Sequence, residues 1–568
     1  VAAALLASCK EPTVQPTVIP GAEPDRNAAV DVVDPMGENV QEIVYVDQNW
    51  SPEDSQRFYF TPQGSEVLPY SWFLALEQAD NETLFRDNVN LARFRYLAQK
   101  PDSMNVDGLP VGFVKDRVGD RDWLGVTCAA CHTNQIGYQN VGYRIDGGPA
   151  MADIGGFMME LTAALEATRN DPAKFSRFAT AILGANAAVT EQEKLRSDMD
   201  DIIGRRAGYN ARNLPAGAVA GYGRVDALGA ILNEVFHQAL RQTDQVSITA
   251  NTQPADAPVS YPFLWDTTHH DRVQWIGVAK NGGPLRLGNL GRNVGEVLGV
   301  FGDVDFEDTS QPGYRSSVNV VNLHRLDGWL DSLWSPEWPA AFPALDPVKV
   351  AAGAQLYDAQ CAECHALIDR TDPQRRIQAV MTAADTDSRT ADNFFNREGL
   401  TGLLAGRSVR FFPPGGAKFP ASDTGDAVLG HAVIGTILGS PFEAPDDGLA
   451  TIDFQRPPGA VRGEGAQYKA RPLNGIWATA PYLHNGSVPT LYDLLQPSSQ
   501  RPATFRVGSR RFDPQHVGFV TDAPGFPEFR ARAQDGSPIL GDSNVGHEYG
   551  SLLSDEERLQ LLEYLKGL

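Results

Sequence analysis

The chain runs to 568 residues with 48 basic and 71 acidic side chains, a net charge of −23. That balance disfavours nucleic acid and anionic lipid as partners and suits a cationic one, such as a small redox protein donor. A hydrophobic content of 42% is ordinary for a globular protein, and the length allows two or more domains.

The chain opens on a short apolar run ending in Leu6-Ala-Ser-Cys9. Small residues before a cysteine resemble the end of a bacterial lipoprotein signal. Residues 1–9 are therefore read as the last part of such a signal, with lipid on Cys9. Residues 10–45 hold Pro12, Pro16, Pro20, Pro24 and Pro35 and few large apolar residues, which predicts an extended tether. No later stretch has the length of a membrane span, so the predicted membrane attachment is by lipid alone. The resulting location is the periplasm or the outer membrane.

Residues 46–325 are expected to form an N-terminal domain. Leu74 to Leu76, then Leu84, Phe85, Leu91 and Phe94, suggest helices before Cys128-Ala-Ala-Cys131-His132. This word is C-x-x-C-H, the attachment signature of c-type haem, in which both thiols bind the porphyrin and the histidine becomes the proximal iron ligand. Gly147-Gly-Pro149 marks a turn. Met151–Ala167 has helical periodicity, and Asp171–Ile202 reads as helix with one polar face. Gly221-Tyr-Gly223 is taken as a loop, since a lone G-x-G is weak evidence for nucleotide binding. Residues 326–345 form a Trp- and Pro-rich connection to a C-terminal domain, 346–568. There Asp346-Pro347 caps a helix that delivers the chain to a second word, Cys361-Ala-Glu-Cys364-His365. Ser554-Asp-Glu-Glu557 opens a terminal amphipathic helix carrying Leu559, Leu562 and Leu565 on one face.

Two C-x-x-C pairs could build a Cys₄ zinc site, but such pairs lie about 15–20 residues apart, whereas these are separated by more than two hundred. A thioredoxin-like redox pair has no reason to repeat the trailing histidine. Two covalently bound haem c groups are the reading that fits both words. Four of the five cysteines are then used, and Cys9 takes the lipid.

Function turns on the atom opposite each proximal histidine. After Cys364 the only methionine is Met381, too close in sequence to His365 to come round the ring, whereas His431, His484, His516 and His547 are all available. Bis-His ligation of the second haem follows. His547, on a Gly-flanked loop before the terminal helix, is the preferred ligand, with His484 as runner-up. Near the first haem, Met151, Met158 and Met159 read as packing. Trp265, Trp275 and Phe301 suggest an apolar distal side that leaves the iron open to O₂ or H₂O₂. The fold class expected is mainly α: two cytochrome c-like haem domains with long loops and few short strands.

The two words, followed by Thr479-Ala-Pro-Tyr-Leu-His484-Asn-Gly-Ser-Val-Pro-Thr-Leu491, resemble the bacterial dihaem cytochrome c peroxidase superfamily. Trp123–Cys128, Arg144–Pro149, Gly223–Asp226, Arg292–Glu296 and Arg471–Trp477 are most similar to the rubber oxygenase-like dihaem cytochromes c within it. This resemblance implies a reactive N-terminal haem with His132 as its only protein ligand. It also implies an electron-relay haem on His365 and His547, and a tryptophan between the two, for which Trp275 is the counterpart. Peroxidase relatives place a methionine soon after the His-Asn-Gly-Ser word; here Tyr492-Asp-Leu-Leu495 has none, which favours the oxygenase-like branch and an apolar organic substrate such as an alkene. Calcium near Thr479 and Pro481 is a further implication. Arg471 and His484 are expected to serve the second haem's propionates or the domain interface.

Overall fold

The computed structural model describes residues 26–214, 220–241, 250–308, 312–383, 385–411, 416–449, 451–454 and 466–568. Cys9 and residues 10–25 of the segment expected as a tether lie outside the described residues; residues 26–45 are packed on the body, where Asp34 and Glu38 pair with the buried Arg95 and Glu42–Tyr45 joins a sheet.

The expectation of a mainly α fold is overturned: 37% of the structure is helical and 15% is strand, distributed over many small sheets. The difference is concentrated around the first C-x-x-C-H word. The chain reaches Cys128 through an antiparallel hairpin of β2 (Phe113–Val118) and β3 (Arg121–Val126), not through a helix. It leaves His132 directly into β4 (Thr133–Tyr138), which turns back through Gln139 and Asn140 into β5 (Val141–Asp146). Both turn residues have positive φ, 49° and 64°, the conformation of the tight hairpin turns whose twist matches that of paired strands. β1 (Glu42–Tyr45) adds in parallel to β5.

Helices flank this sheet-rich centre. α1 (Pro52–Phe60) starts at a Ser51–Asp54 capping box and buries Phe58, Tyr59 and Phe60. The periodicity at Met151–Ala167 becomes α2 (Ile154–Asn170). The segment expected as one helix from Asp171 is two, α3 (Pro172–Leu183) and α4 (Val189–Asn213), broken at Gly184 with φ 89°. α5 (Ala227–Ala239) and α6 (Leu287–Gly299) then pack together.

In the second half, Asp346 caps α7 (Pro347–Gln360), accepting from the amides of Val348 and Lys349, and α7 ends at Cys361. Ser554 and Glu557 form the capping box of α8 (Asp555–Lys566). α7 and α8 cross at Gly353, where a Cβ would stand 2.1 Å from the Gln560 carbonyl oxygen. Gly353→Ala is expected to wedge this crossing and cost about 1–3 kcal/mol, read as a lowered melting temperature. An unchanged melt would mean that the crossing is not close-packed.

One large apolar core takes in residues from both halves, among them Phe58, Trp265, Val294, Tyr357, Trp477 and Leu565. A second, aromatic cluster lies under α2, where Phe157 meets Phe85 and Phe113 edge-on at 5.7 and 5.3 Å. Among the described residues, no helix is long and apolar enough to cross a membrane.

Candidate functional site

Two large cavities open beside the two C-x-x-C-H words. At the first word, Thr127 caps a short turn over Cys128–Ala130, accepting from the Ala129 amide and donating to the Tyr59 carbonyl. Gly112, with φ 84°, lets the chain pass so close to Ala130 that a Cβ would lie 2.1 Å from its amide nitrogen. The word is thereby clamped between α1 and the β2–β3 hairpin. His132 Nδ1 donates to the Pro262 carbonyl at 2.8 Å. That bond fixes the tautomer and leaves Nε2 as a free lone pair, the usual state of a ligating histidine. Burial holds its pKa down to about 4 and pushes the Cys131 thiol up to about 12.

The first cavity is open to solvent, and with that open space included it spans about 1680 Å³ free of protein atoms. Its walls are mostly apolar: Met158, Val259, Val297, Val300 and Phe301, with Trp275 at one side. Phe301 sits at φ 67° and packs on Tyr209 at 4.7 Å, so its ring is held in place as part of the wall. Trp265 is elsewhere, stacked on Phe263 and donating to the Asn474 carbonyl. Sequence reasoning missed the polar wall. Arg292 and Glu296 lie one turn apart on α6 and so share a face, and both line this cavity together with Gln274. Gln274 Nε2 donates to the Glu296 carboxylate. Burial raises the Glu296 pKa above its ordinary value, against the lowering effects of Arg292 and Gln274.

At the second word, Tyr357 donates to the His365 carbonyl, and His365 Nδ1 donates to the Arg471 carbonyl at 2.6 Å, again freeing Nε2. The His547 ring faces His365 with ring centroids 6.3 Å apart and planes at 55°. A metal–imidazole bond is about 2.0–2.1 Å, so two imidazoles on opposite sides of one iron place their ring centroids about 6 Å apart. His547 stands at φ 50°, and its buried Nδ1 has no partner among the described residues. Burial, reinforced by His365 and Arg501, lowers its pKa to about 3, so the imidazole is neutral. The loop that carries it is held by Arg501, whose guanidinium donates to the carbonyls of Asn544, Gly546 and His547 at 2.7, 2.7 and 3.0 Å. Arg501 gave no sequence signal, because its role is to satisfy backbone acceptors brought near only by folding.

The other histidine candidates fall apart in space. His431 is occupied by the Tyr314 hydroxyl and the Val409 carbonyl, and His516 is a half-exposed partner of Asp513. His484 lines the second cavity, stacked on Tyr468 at 3.9 Å, with its pKa lowered to about 3 by burial. Cys361, Cys364, His365, Arg471 and His547 line that cavity as well. Thr479 and Pro481 also border it, and the Thr479 hydroxyl donates to the Ile476 carbonyl. Among the described residues, no group of three or more His, Cys, Asp or Glu side chains is arranged to hold a metal ion.

Both cavities have the chemistry for a macrocycle with acid side arms: apolar walls, a paired-thiol edge, a free imidazole and the buried Lys469 and Arg471. Residues 467–506 match the RoxA-like, cytochrome c-like family model, which supports a relation to the RoxA-like cytochromes and supports haem c binding. Over 595 aligned residues, 93% of this chain and 94% of the relative, it is 30% identical to the uncharacterized protein y4iJ of Sinorhizobium fredii strain NBRC 101917 / NGR234. The chain belongs to the same family as y4iJ. The uncharacterized protein y4iM of the same organism is 28% identical over 353 residues, 57% of this chain and 69% of that protein.

Proposed function

We propose that each C-x-x-C-H word carries one covalent haem c and that the two irons are unequally coordinated. His365 and His547 would ligate the second haem, and His132 alone would ligate the first. The observation that supports this most is the His365–His547 pair with ring centroids 6.3 Å apart, set against a first cavity in which His132 is the lone imidazole among the described residues. The protein is then a haem-dependent oxidoreductase, reactive at the first site and relaying electrons at the second.

A haem with an open position supplies the activation of O₂ or H₂O₂. The chain supplies the rest. Cys128 and Cys131 fix the macrocycle, and the His132–Pro262 bond holds the proximal imidazole neutral and oriented. Phe301, Val297 and Val300 exclude water and favour an apolar substrate, such as an alkene cleaved at its double bond in the rubber oxygenase-like manner. Glu296 lines the first cavity and keeps a proton at its carboxyl beyond the ordinary carboxylate range. Trp275 lines both cavities and lies on the route between them, its Nε1 donating to the Ser260 carbonyl at 3.0 Å.

The Gln274–Glu296 pair favours a second reading, a peroxidase that uses H₂O₂ and an external donor, since cleaving a peroxide requires a proton source. The two differ in what turnover consumes: oxygenase cleavage proceeds with O₂ and no external reductant, whereas peroxidase turnover stops without one. A non-catalytic dihaem carrier would show two low-spin haems and no CO binding. Met158 is the one thioether bordering the first cavity. Met158→Leu is expected to leave CO binding and the high-spin signal unchanged, and their alteration would assign the sulfur as a ligand. Periplasmic or outer-membrane placement, with lipid on Cys9, accords with attachment of this haem type outside the cytoplasm.

A further inference from the structure

Lys469 and Arg471 stand out as buried cations without a direct ion pair among the described residues, Asp271 and Asp266 acting on them from beyond that distance. Both are 6% exposed, and among the described residues neither forms an ion pair with a carboxylate. They sit at alternate positions as the chain runs out of β7 (Tyr468–Ala470), which pairs with β6 (Val380–Thr382) so that Lys469 faces Met381 in register. The backbone fixes Lys469 from the other side, its amide donating to the Trp275 carbonyl at 2.8 Å. Its ammonium has one acceptor among the described residues, the Arg272 carbonyl at 3.1 Å. The Arg471 guanidinium donates to the Phe263 carbonyl at 2.8 Å and covers the Phe263 ring at 3.4 Å, while its buried Nε has no partner among the described residues. His270, on which both cations act, has both ring nitrogens buried and likewise without partners among the described residues.

Burying two adjacent cations unpaired is strongly unfavourable, so such a pair implies an anion that folding or loading brings in. The position tells which one. Lys469 and Arg471 border both cavities. The same short stretch also ties the two proximal histidines together: His132 bonds the Pro262 carbonyl, the next carbonyl, of Phe263, accepts from the Arg471 side chain, and the Arg471 carbonyl accepts from His365.

We propose that Lys469 and Arg471 form one cationic strut shared by the two haems, neutralising propionate carboxylates from both and raising both reduction potentials together. This rests on the two-haem reading above. A positive charge near an iron stabilises the reduced form, and one charge placed between two irons acts on both. Lys469 is then a positioning and tuning residue and takes no part in bond making.

The test is a spectroelectrochemical titration of holoprotein, following the two haems by their separate spectra, in wild type, Lys469→Met and Lys469→Arg. Both midpoint potentials are expected to fall in the methionine variant and to return towards wild type in the arginine variant. A shift confined to one haem, or none, overturns the shared strut. If Lys469→Met fails to fold or load, Lys469→Gln, which keeps a polar end without the charge, takes its place with the same expected fall. The intact mass of each preparation keeps the two ideas apart: a single haem adduct on wild type contradicts the two-haem reading, whereas two adducts with an unmoved potential contradict the strut alone.

Discussion

Replacing His547 by alanine is expected to convert the haem at His365 from six-coordinate low-spin to a high-spin form that binds CO. His365 is fixed by the Arg471 carbonyl behind it, and no second imidazole is shown facing its ring as His547 does at 6.3 Å. His484, the rival, is stacked flat on Tyr468, which commits its ring to another plane. The low-spin EPR signal should therefore disappear, and CO uptake per chain should rise. A low-spin signal that survives in His547→Ala and is lost in His484→Ala would transfer the ligand role to His484. Arg501→Met should act in the same direction but more weakly, because it frees the loop without removing the imidazole.

Glu296→Gln is expected to lower turnover at the first site by about 10²–10⁴, the usual contribution of a positioned acid–base group. The substitution is nearly isosteric and leaves the Gln274 partner in place, so the loss would report the proton and not the packing. The sign of the pH dependence follows from the raised pKa. If the protonated carboxyl is the working form, activity is retained at low pH and falls as pH rises through that elevated value. Glu296→Gln should remove this limb of the profile. Full activity with an unchanged profile would assign Glu296 to wall polarity alone.

What the sequence made legible was short-range chemistry. The C-x-x-C-H words are covalent requirements written in five residues, and the helix starts at Asp346-Pro347 and Ser554–Glu557 depend on hydrogen bonds within one turn. The structure has both helices beginning there. A Gly-flanked histidine ahead of the last helix can take the left-handed backbone that His547 adopts, and its ring lies 6.3 Å from that of His365. The strands around the first word were not legible. The apolar residues from Leu74 to Phe94 suggested helices before Cys128, and short ones occur at Tyr70–Ala75 and Asn88–Arg93, but Phe113–Val118 and the turn at Gln139-Asn140 carry hairpin signals that sequence reasoning missed. Lys469, Arg501 and the Gln274–Glu296 pair were illegible for a different reason: each is defined by what it lacks or meets across 22 or more positions, such as the Gln274–Glu296 bond.

The account stands on two covalent haems of unequal coordination, and the most direct test is the stoichiometry of CO binding to the fully reduced protein, with haem content fixed by the mass of the acid-denatured chain. One CO for every two haems is the predicted result. Two CO per two haems, none, or a chain carrying fewer than two haems would contradict it.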